Sequence, residues 1–395
     1  MLSEKMVQLG TNRSVIRDLF EYGNKRKAEI GAENVFDFSI GNPSVPAPDC
    51  VKEAAVELLT QGDPVALHGY TSAQGDAGLR QKLAEYVNGQ HGTNLTGDNF
   101  YITVGAAASL TISLKALAEP EDEFITFSPF FPEYRVFVEA NGAKLVVVPP
   151  HTSDFQIDFE ALEKAISAHT KGVIINSPNN PSGAVYSKET IQKLAALLTK
   201  KSEENGTPIF ILADEPYREI AYDGVEVPYV TKYYANTLVC YSYSKSLSLP
   251  GERIGYVIVP DEVTESKTVY AAIAGAGRAL GYVCAPSMFQ KVIAACVGNT
   301  GDIELYKKNR DLLYDGLTKI GYECFKPQGA FYMFVKALEP DADAFCERAK
   351  EQDLLIVSAT GFGCPGYARV SYCVDYDMIE RSFTAFEKLY KSYQG

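Results

Sequence analysis

The chain has 395 residues, 46% hydrophobic and 22% charged, which fits a globular protein of two domains or one elaborated α/β unit. Its formal net charge of −13 argues against nucleic acid as a partner, since phosphate backbones select basic surfaces. Eight scattered cysteines without a Cys-x-x-Cys pair and four histidines show no metal-site spacing, and neither a signal peptide nor a membrane span is visible, so a reduced cytoplasmic protein without metal is expected.

Residues 13–31 carry a helical pattern of mixed charge, and Phe36-Asp37-Phe38-Ser39-Ile40 reads as a short strand. Gly41-Asn42-Pro43-Ser44-Val45-Pro46-Ala47-Pro48 breaks regular structure and reads as a connection between domains. From residue 49 helices and strands alternate. The β-rich runs fall at 100–104, 123–127, 143–148, 172–176, 208–213 and 237–241, most of them separated by helical periodicity, as in 105–118 and 187–204. Such alternation predicts βαβ units and a parallel sheet covered on both faces. A further run at 254–259 follows too closely for a helical crossover and is expected to be antiparallel. After 286 come helices, a strand at 331–335, a helix near 342–352, and strands at 354–358 and 368–373. The expectation is an α/β fold with a large domain over 46–285 and a smaller α+β domain built from 1–45 and 286–395.

Motifs sit at the ends of three of these strands. Ser177-Pro178-Asn179-Asn180-Pro181-Ser182-Gly183 follows the fourth run, Asp214-Glu215-Pro216-Tyr217 the fifth, and the segment from Ser242 to Gly255 the sixth. Strand ends are where open α/β sheets collect ligands. A lysine at such an end, Lys245, is desolvated, so its amine tends to be neutral and nucleophilic and can form a Schiff base with an aldehyde. The hydroxyls beside it and Arg253 suit a phosphate. Taken singly, each motif has a plain alternative: a helix cap for Asp214, a generic turn for the Pro-Asn-Asn-Pro string, a surface turn for Lys245.

Together and in this order, Asn-Pro-Ser-Gly, Asp-x-x-Tyr, Ser-x-x-Lys and Gly-x-Arg-x-Gly resemble the fold-type I pyridoxal phosphate-dependent aminotransferases of class I/II, related to aspartate aminotransferase. The resemblance runs over nearly the whole chain. It implies a seven-stranded sheet with one reversed strand, pyridoxal 5′-phosphate as cofactor, and amino transfer between an amino acid and a 2-oxo acid in two half-reactions. It makes Lys245 the cofactor's covalent partner and proton carrier, Asp214 the partner of the ring nitrogen, and Asn180 and Tyr217 donors to the phenolic oxygen. The amides of Ala106 and Ala107, with Ser242 and Arg253, would hold the phosphate. Phe131 would stack on the ring, where relatives often carry Trp or Tyr; this chain has no Trp. Arg369, Gly41 and Asn180 would meet the substrate carboxylate. Tyr70 resembles a tyrosine reaching the phosphate from a neighbouring subunit, which implies a homodimer.

Arg278 is a candidate for reading a distal carboxylate, although its spacing to Pro286 departs from that of relatives. A carbon–sulfur β-lyase shares the cofactor and stays open as an alternative. A non-catalytic regulatory domain needs a DNA-binding module, for which the chain has neither length nor basic surface. Gly361-Phe362-Gly363-Cys364-Pro365-Gly366 matches a dinucleotide glycine string, but proline and a strand follow it instead of a helix, so it is set aside.

Overall fold

The computed structural model describes residues 2–11 and 15–394. Its centre is set by apolar runs too continuous to leave either face in water. Strands Phe210–Asp214 and Thr237–Ser242 are buried at every position, the pattern of a sheet covered on both sides. Seven strands form this sheet. From one edge the order is Phe100–Thr103, Gly255–Ile258, Thr237–Ser242, Phe210–Asp214, Thr170–Asn176, Glu123–Phe127 and Lys144–Val148. Gly255–Ile258 runs antiparallel to both neighbours, and the other pairings are parallel. The seven runs and the reversed strand are those expected from the sequence.

The covering helices follow their periodicity. Lys188–Asn205 buries Thr190, Ile191, Leu194, Ala195 and Leu198, a stripe spaced by three and four. Ser187 Oγ caps it by accepting from the Thr190 N–H at 3.1 Å; Ser187→Ala would cost about 1 kcal/mol. Ala106–Leu117, sandwiched between the sheet and Ser266–Ala279, is instead buried on most of its surface.

A second core gathers Phe38, Phe331, Met333, Phe345, Leu354, Val370, Ile379 and Phe386. Here Tyr367–Ser371 pairs antiparallel with Val357–Ser358 and Tyr332–Lys336, and Phe36–Asp37 pairs parallel with Leu354–Leu355. Two expectations change in detail. The strand foreseen over 36–40 stops at Asp37, because Asp37 Oδ1 accepts from the N–H and hydroxyl of Ser39 at 3.1 and 2.6 Å and turns the chain. The run 354–358 is divided, each half serving a different sheet. The first helix of the 13–31 pattern is Val15–Ile30; residues 13 and 14 lie outside the described residues. After Gly361 the chain makes a short turn and enters Tyr367–Ser371, with no helix to receive a pyrophosphate.

Candidate active site

Parallel pairing brings the ends of three strands side by side, with Asn176 opposite Asp214 and Asp214 opposite Cys240. The Asn176 amide fastens two of the motif loops together. Its Nδ2 donates to the Asp214 carbonyl at 2.8 Å, and its Oδ1 accepts from the Asn180 N–H at 2.7 Å.

Asp214 is buried at this edge. Tyr134 Oη donates to its Oδ2 at 2.5 Å, while Oδ1 has no partner. Burial lifts the carboxyl to about 7, opposed by the tyrosine bond and assisted by the neighbouring Glu215. Lys245 rides on the single-turn helix Tyr243–Ser246, whose start is capped by Ser242 Oγ accepting from the Ser244 N–H at 3.0 Å. Its Nζ donates to the Gly41 carbonyl at 2.7 Å. Burial lowers its pKa to about 8; Cys373 raises it, and Arg369 and Arg253 lower it further. Among the described residues no carboxylate pairs with this amine.

The helix Ala106–Leu117 begins after Gly105, whose φ of 93° suits glycine. A Cβ there would come within 2.6 Å of Arg253 Nη2, so the glycine lets the guanidinium approach the helix start. Arg253 Nη1 donates to the Pro250 carbonyl at 3.0 Å, and Ser242 and Ser244 share a hydroxyl contact of 2.6 Å beside it. First-turn amides without helical partners, two hydroxyls and a guanidinium together make an anion cradle.

Across the cavity Arg369, 2% exposed, donates from Nη2 to the Ser39 carbonyl at 2.6 Å and from Nη1 to Asn180 Oδ1 at 3.2 Å. Its guanidinium lies 4.7 Å from the Tyr332 ring and 5.0 Å from that of Phe362. The set-aside glycine string thus ends up flanking Arg369. Nε has no partner, and burial holds the group below its ordinary pKa. Tyr217 Oη meets Tyr332 Oη at 3.0 Å. A Cβ on Gly41 would overlap Tyr332 Oη, so glycine is required at that position.

One cavity of about 320 Å³ is lined by Gly41, Ala106, Ala107, Phe131, Asn180, Asp214, Tyr217, Ser242, Lys245, Arg253 and Arg369. Of the residues singled out by sequence all are there except Tyr70 and Arg278; Tyr70 is 90% exposed and outside it. Arg278 is also outside, exposed on Ser266–Ala279. Sequence reasoning missed Ile16, Asn176, Ser244 and Tyr332, which complete the wall, and Tyr134 behind Asp214. Ser244 had a signal, its place in the Ser-x-x-Lys string; Tyr332 had none beyond a buried-strand pattern.

The donor set fits pyridoxal phosphate. A buried carboxylate oxygen without a partner suits a protonated ring nitrogen, an amine with a lowered pKa suits an aldehyde, and the cradle at Gly105 suits a phosphate. Residues 33–386 match the family Aminotransferase class I and II. The chain belongs to that family. It is a pyridoxal phosphate-dependent aminotransferase. An aminotransferase from Eubacterium rectale, known from its crystal structure, is 68% identical and superposes over the full length of both chains with a TM-score of 0.98. The aspartate aminotransferase of Thermotoga maritima is 29% identical over 97% of this aminotransferase and 98% of its own length. That of Thermus thermophilus, crystallised with maleate, is 26% identical with a TM-score of 0.87, covering 98% of this chain and 99% of its own.

Proposed function

We propose that this aminotransferase takes an aspartate-type dicarboxylic amino acid as donor, works as a cytoplasmic homodimer, and uses the cavity around Lys245 as its active site. The observation that carries the site assignment is the convergence on a single cavity of three groups, Lys245 Nζ, Asp214 Oδ1 and the Arg369 guanidinium, that have no charge partner among the described residues. The substrate class is supported by relatives named aspartate aminotransferase. The larger sheet and the second core suggest two domains, 46–285 and 1–45 with 286–395, although helix Ser287–Cys296 rests on the larger sheet through Val292 and Ile293.

Pyridoxal phosphate, when bound, supplies an aldehyde that takes up nitrogen and a ring that withdraws electrons from the substrate Cα. Lys245 Nζ, neutral above about pH 8, would be the group that bonds to that aldehyde and the base that carries the proton of the substrate Cα. Asp214 Oδ1 holds the proton of the ring nitrogen. Asn180 Oδ1 is engaged by Arg369, so its Nδ2 is left to donate to the phenolic oxygen beside Tyr217. Arg369, buried between two aromatic rings, orients the substrate α-carboxylate, with Nε still free to donate. Ile16, Phe131 and Tyr332 narrow the cavity and exclude water from the reacting Cα.

Tyr70 and Val65 are 90% and 81% exposed, and a second copy of the chain would cover such apolar side chains. No helix among the described residues is long and apolar enough to cross a membrane. A panel of amino donors and 2-oxo acids, read through the cofactor's spectrum, tests the substrate class. Arg278→Ala should lower the ratio of aspartate to alanine turnover, and an unchanged ratio would remove Arg278 from the reading. Borohydride reduction and peptide mapping should place the cofactor on Lys245; a label on another lysine would overturn the site.

A further inference from the structure

We propose that Tyr134 is a positioning residue for the transamination reaction: its hydroxyl occupies one oxygen of Asp214 and keeps the other directed at the cofactor's ring nitrogen. This rests on the reading of Asp214 given above. Tyr134 does not line the cavity and touches neither cofactor nor substrate there. It sits in the short helix Glu133–Glu139, 1% exposed, among Leu110, Val138, Ile174 and Leu238. Its hydroxyl is a polar atom placed in an apolar cluster, and the partner that justifies it is Asp214 Oδ2 at 2.5 Å, from a strand 80 residues away.

The direction of that bond is fixed by chemistry. Burial and the facing carboxylate push the Tyr134 phenol well above its ordinary pKa, so the proton stays on the tyrosine and Asp214 accepts. The other groups around Asp214 do not supply a donor. Glu215, next on its own strand, is a like charge engaged with Arg218. Tyr217, on the following turn, gives its hydroxyl contact to Tyr332. Cys240, paired with Asp214 on the adjacent strand, keeps its proton through burial, and its sulfur faces Ser113 Oγ at 3.6 Å. Tyr134 is therefore the hydrogen-bond donor to this carboxylate among the described residues. The same ring meets Phe131 edge-on, with centroids 5.7 Å apart, so one side chain braces both the ring-nitrogen partner and the cavity wall.

The test separates this role from simple packing. Apo-enzyme is titrated with pyridoxine 5′-phosphate, which has no aldehyde and cannot bond to Lys245, and with its 1-deaza analogue, in which the ring nitrogen is a C–H. The ratio of the two affinities on one protein sample reports the nitrogen contact and does not depend on the fraction folded. The wild type should favour the nitrogen-bearing ring, and Tyr134→Phe, which keeps the aromatic ring, should lose that preference by about tenfold to a hundredfold. In an Asp214→Asn background Tyr134→Phe should leave the ratio unchanged, because the effect runs through the carboxylate. Equal weakening of both probes by Tyr134→Phe, with the preference intact, would overturn the proposal; so would a full effect in the Asp214→Asn background. A wild type that binds both probes equally would instead remove the assignment of Asp214 on which the proposal stands.

Discussion

Two polar cavities share the loop 214–219, whose residues divide between them. Asp214, Pro216 and Tyr217 line the cofactor cavity, while Glu215, Arg218 and Glu219 line a second one of about 240 Å³ with Tyr86, His91 and Tyr229. Both contain buried ionisable groups. In the second, Glu215 and Arg218 form an ion pair, the Arg218 guanidinium lies 4.8 Å from the Tyr229 ring, and His91 stacks on that ring at 4.1 Å. Burial, with Arg218 and Lys232, draws His91 down to about 4, so it stays neutral, and burial raises the Glu219 carboxyl. There Glu215 and Arg218 are matched with each other, while Glu219 Oε2 and Tyr229 Oη lack a hydrogen-bond partner among the described residues. In the cofactor cavity Asp214 Oδ1, Lys245 and Arg369 are left without countercharges. Burial of polar groups and an unpartnered carboxylate oxygen are common to both; what distinguishes the cofactor cavity is two buried cations, Lys245 and Arg369, that among the described residues have no carboxylate partner, whereas Arg218 has one.

Removing a member of the uncompensated set should have the largest effect. Lys245→Ala should cut turnover by about 10²–10⁴-fold or more, with the apo-protein still folded. In the wild-type apo-enzyme the rate of cofactor capture should rise with pH and level off above about 8, since only the neutral amine attacks. A rate that keeps rising well beyond that pH would show that Lys245 is compensated after all, because a carboxylate partner raises the pKa of the amine.

Asp214→Asn should slow Cα proton removal by orders of magnitude, visible in single-turnover kinetics as a rate that becomes sensitive to deuterium at the substrate Cα. It should also stabilise the apo-protein. A carboxyl whose pKa is raised to about 7 on folding penalises the folded state only where it is ionised. The penalty is absent near pH 4, grows as pH rises, and is complete above about 7, where the variant should be more stable by about 2–4 kcal/mol. Denaturant melts at several pH values check the sign. Arg369→Lys ranks next, because an ammonium keeps the charge but loses the planar fork. KM for the amino acid should rise by about tenfold or more, with a smaller change in kcat.

The sequence made this contrast only half visible. The sheet was legible because Phe210-Ile211-Leu212-Ala213 and Leu238-Val239-Cys240-Tyr241 are apolar without interruption, and most of the cavity was legible because its residues stand where those runs end. Tyr134 was not, since its helix position predicts only burial and its partner is distant in the chain. Tyr332 looked like any inward residue of a strand; its contact with Arg369 arises from strand pairing within the smaller sheet, and its contact with Tyr217 only when that sheet packs against the larger domain. Ile16 comes from a helix whose periodicity says which face is apolar but not what that face covers. Glu215 and Arg218 stand beside functional residues in sequence, and only the folded path of the loop assigns them to the other cavity.

The smallest effect on catalysis should come from Arg218, and it breaks the comparison most directly if it does not. Arg218→Met leaves Glu215 buried and unpaired, which should destabilise the protein by about 3–5 kcal/mol. The double variant Glu215→Gln with Arg218→Met removes both charges and should recover most of that loss, since a matched buried pair contributes little against neutral groups of similar volume. If the second cavity is structural, the double variant at a temperature well below its melting point should turn over within about threefold of wild type, and Lys245 should still titrate near 8. A double variant that is stable yet as slow as Asp214→Asn would show that charge behind the loop is transmitted to the carboxylate in front of it, and the two cavities would then have to be treated as one electrostatic unit.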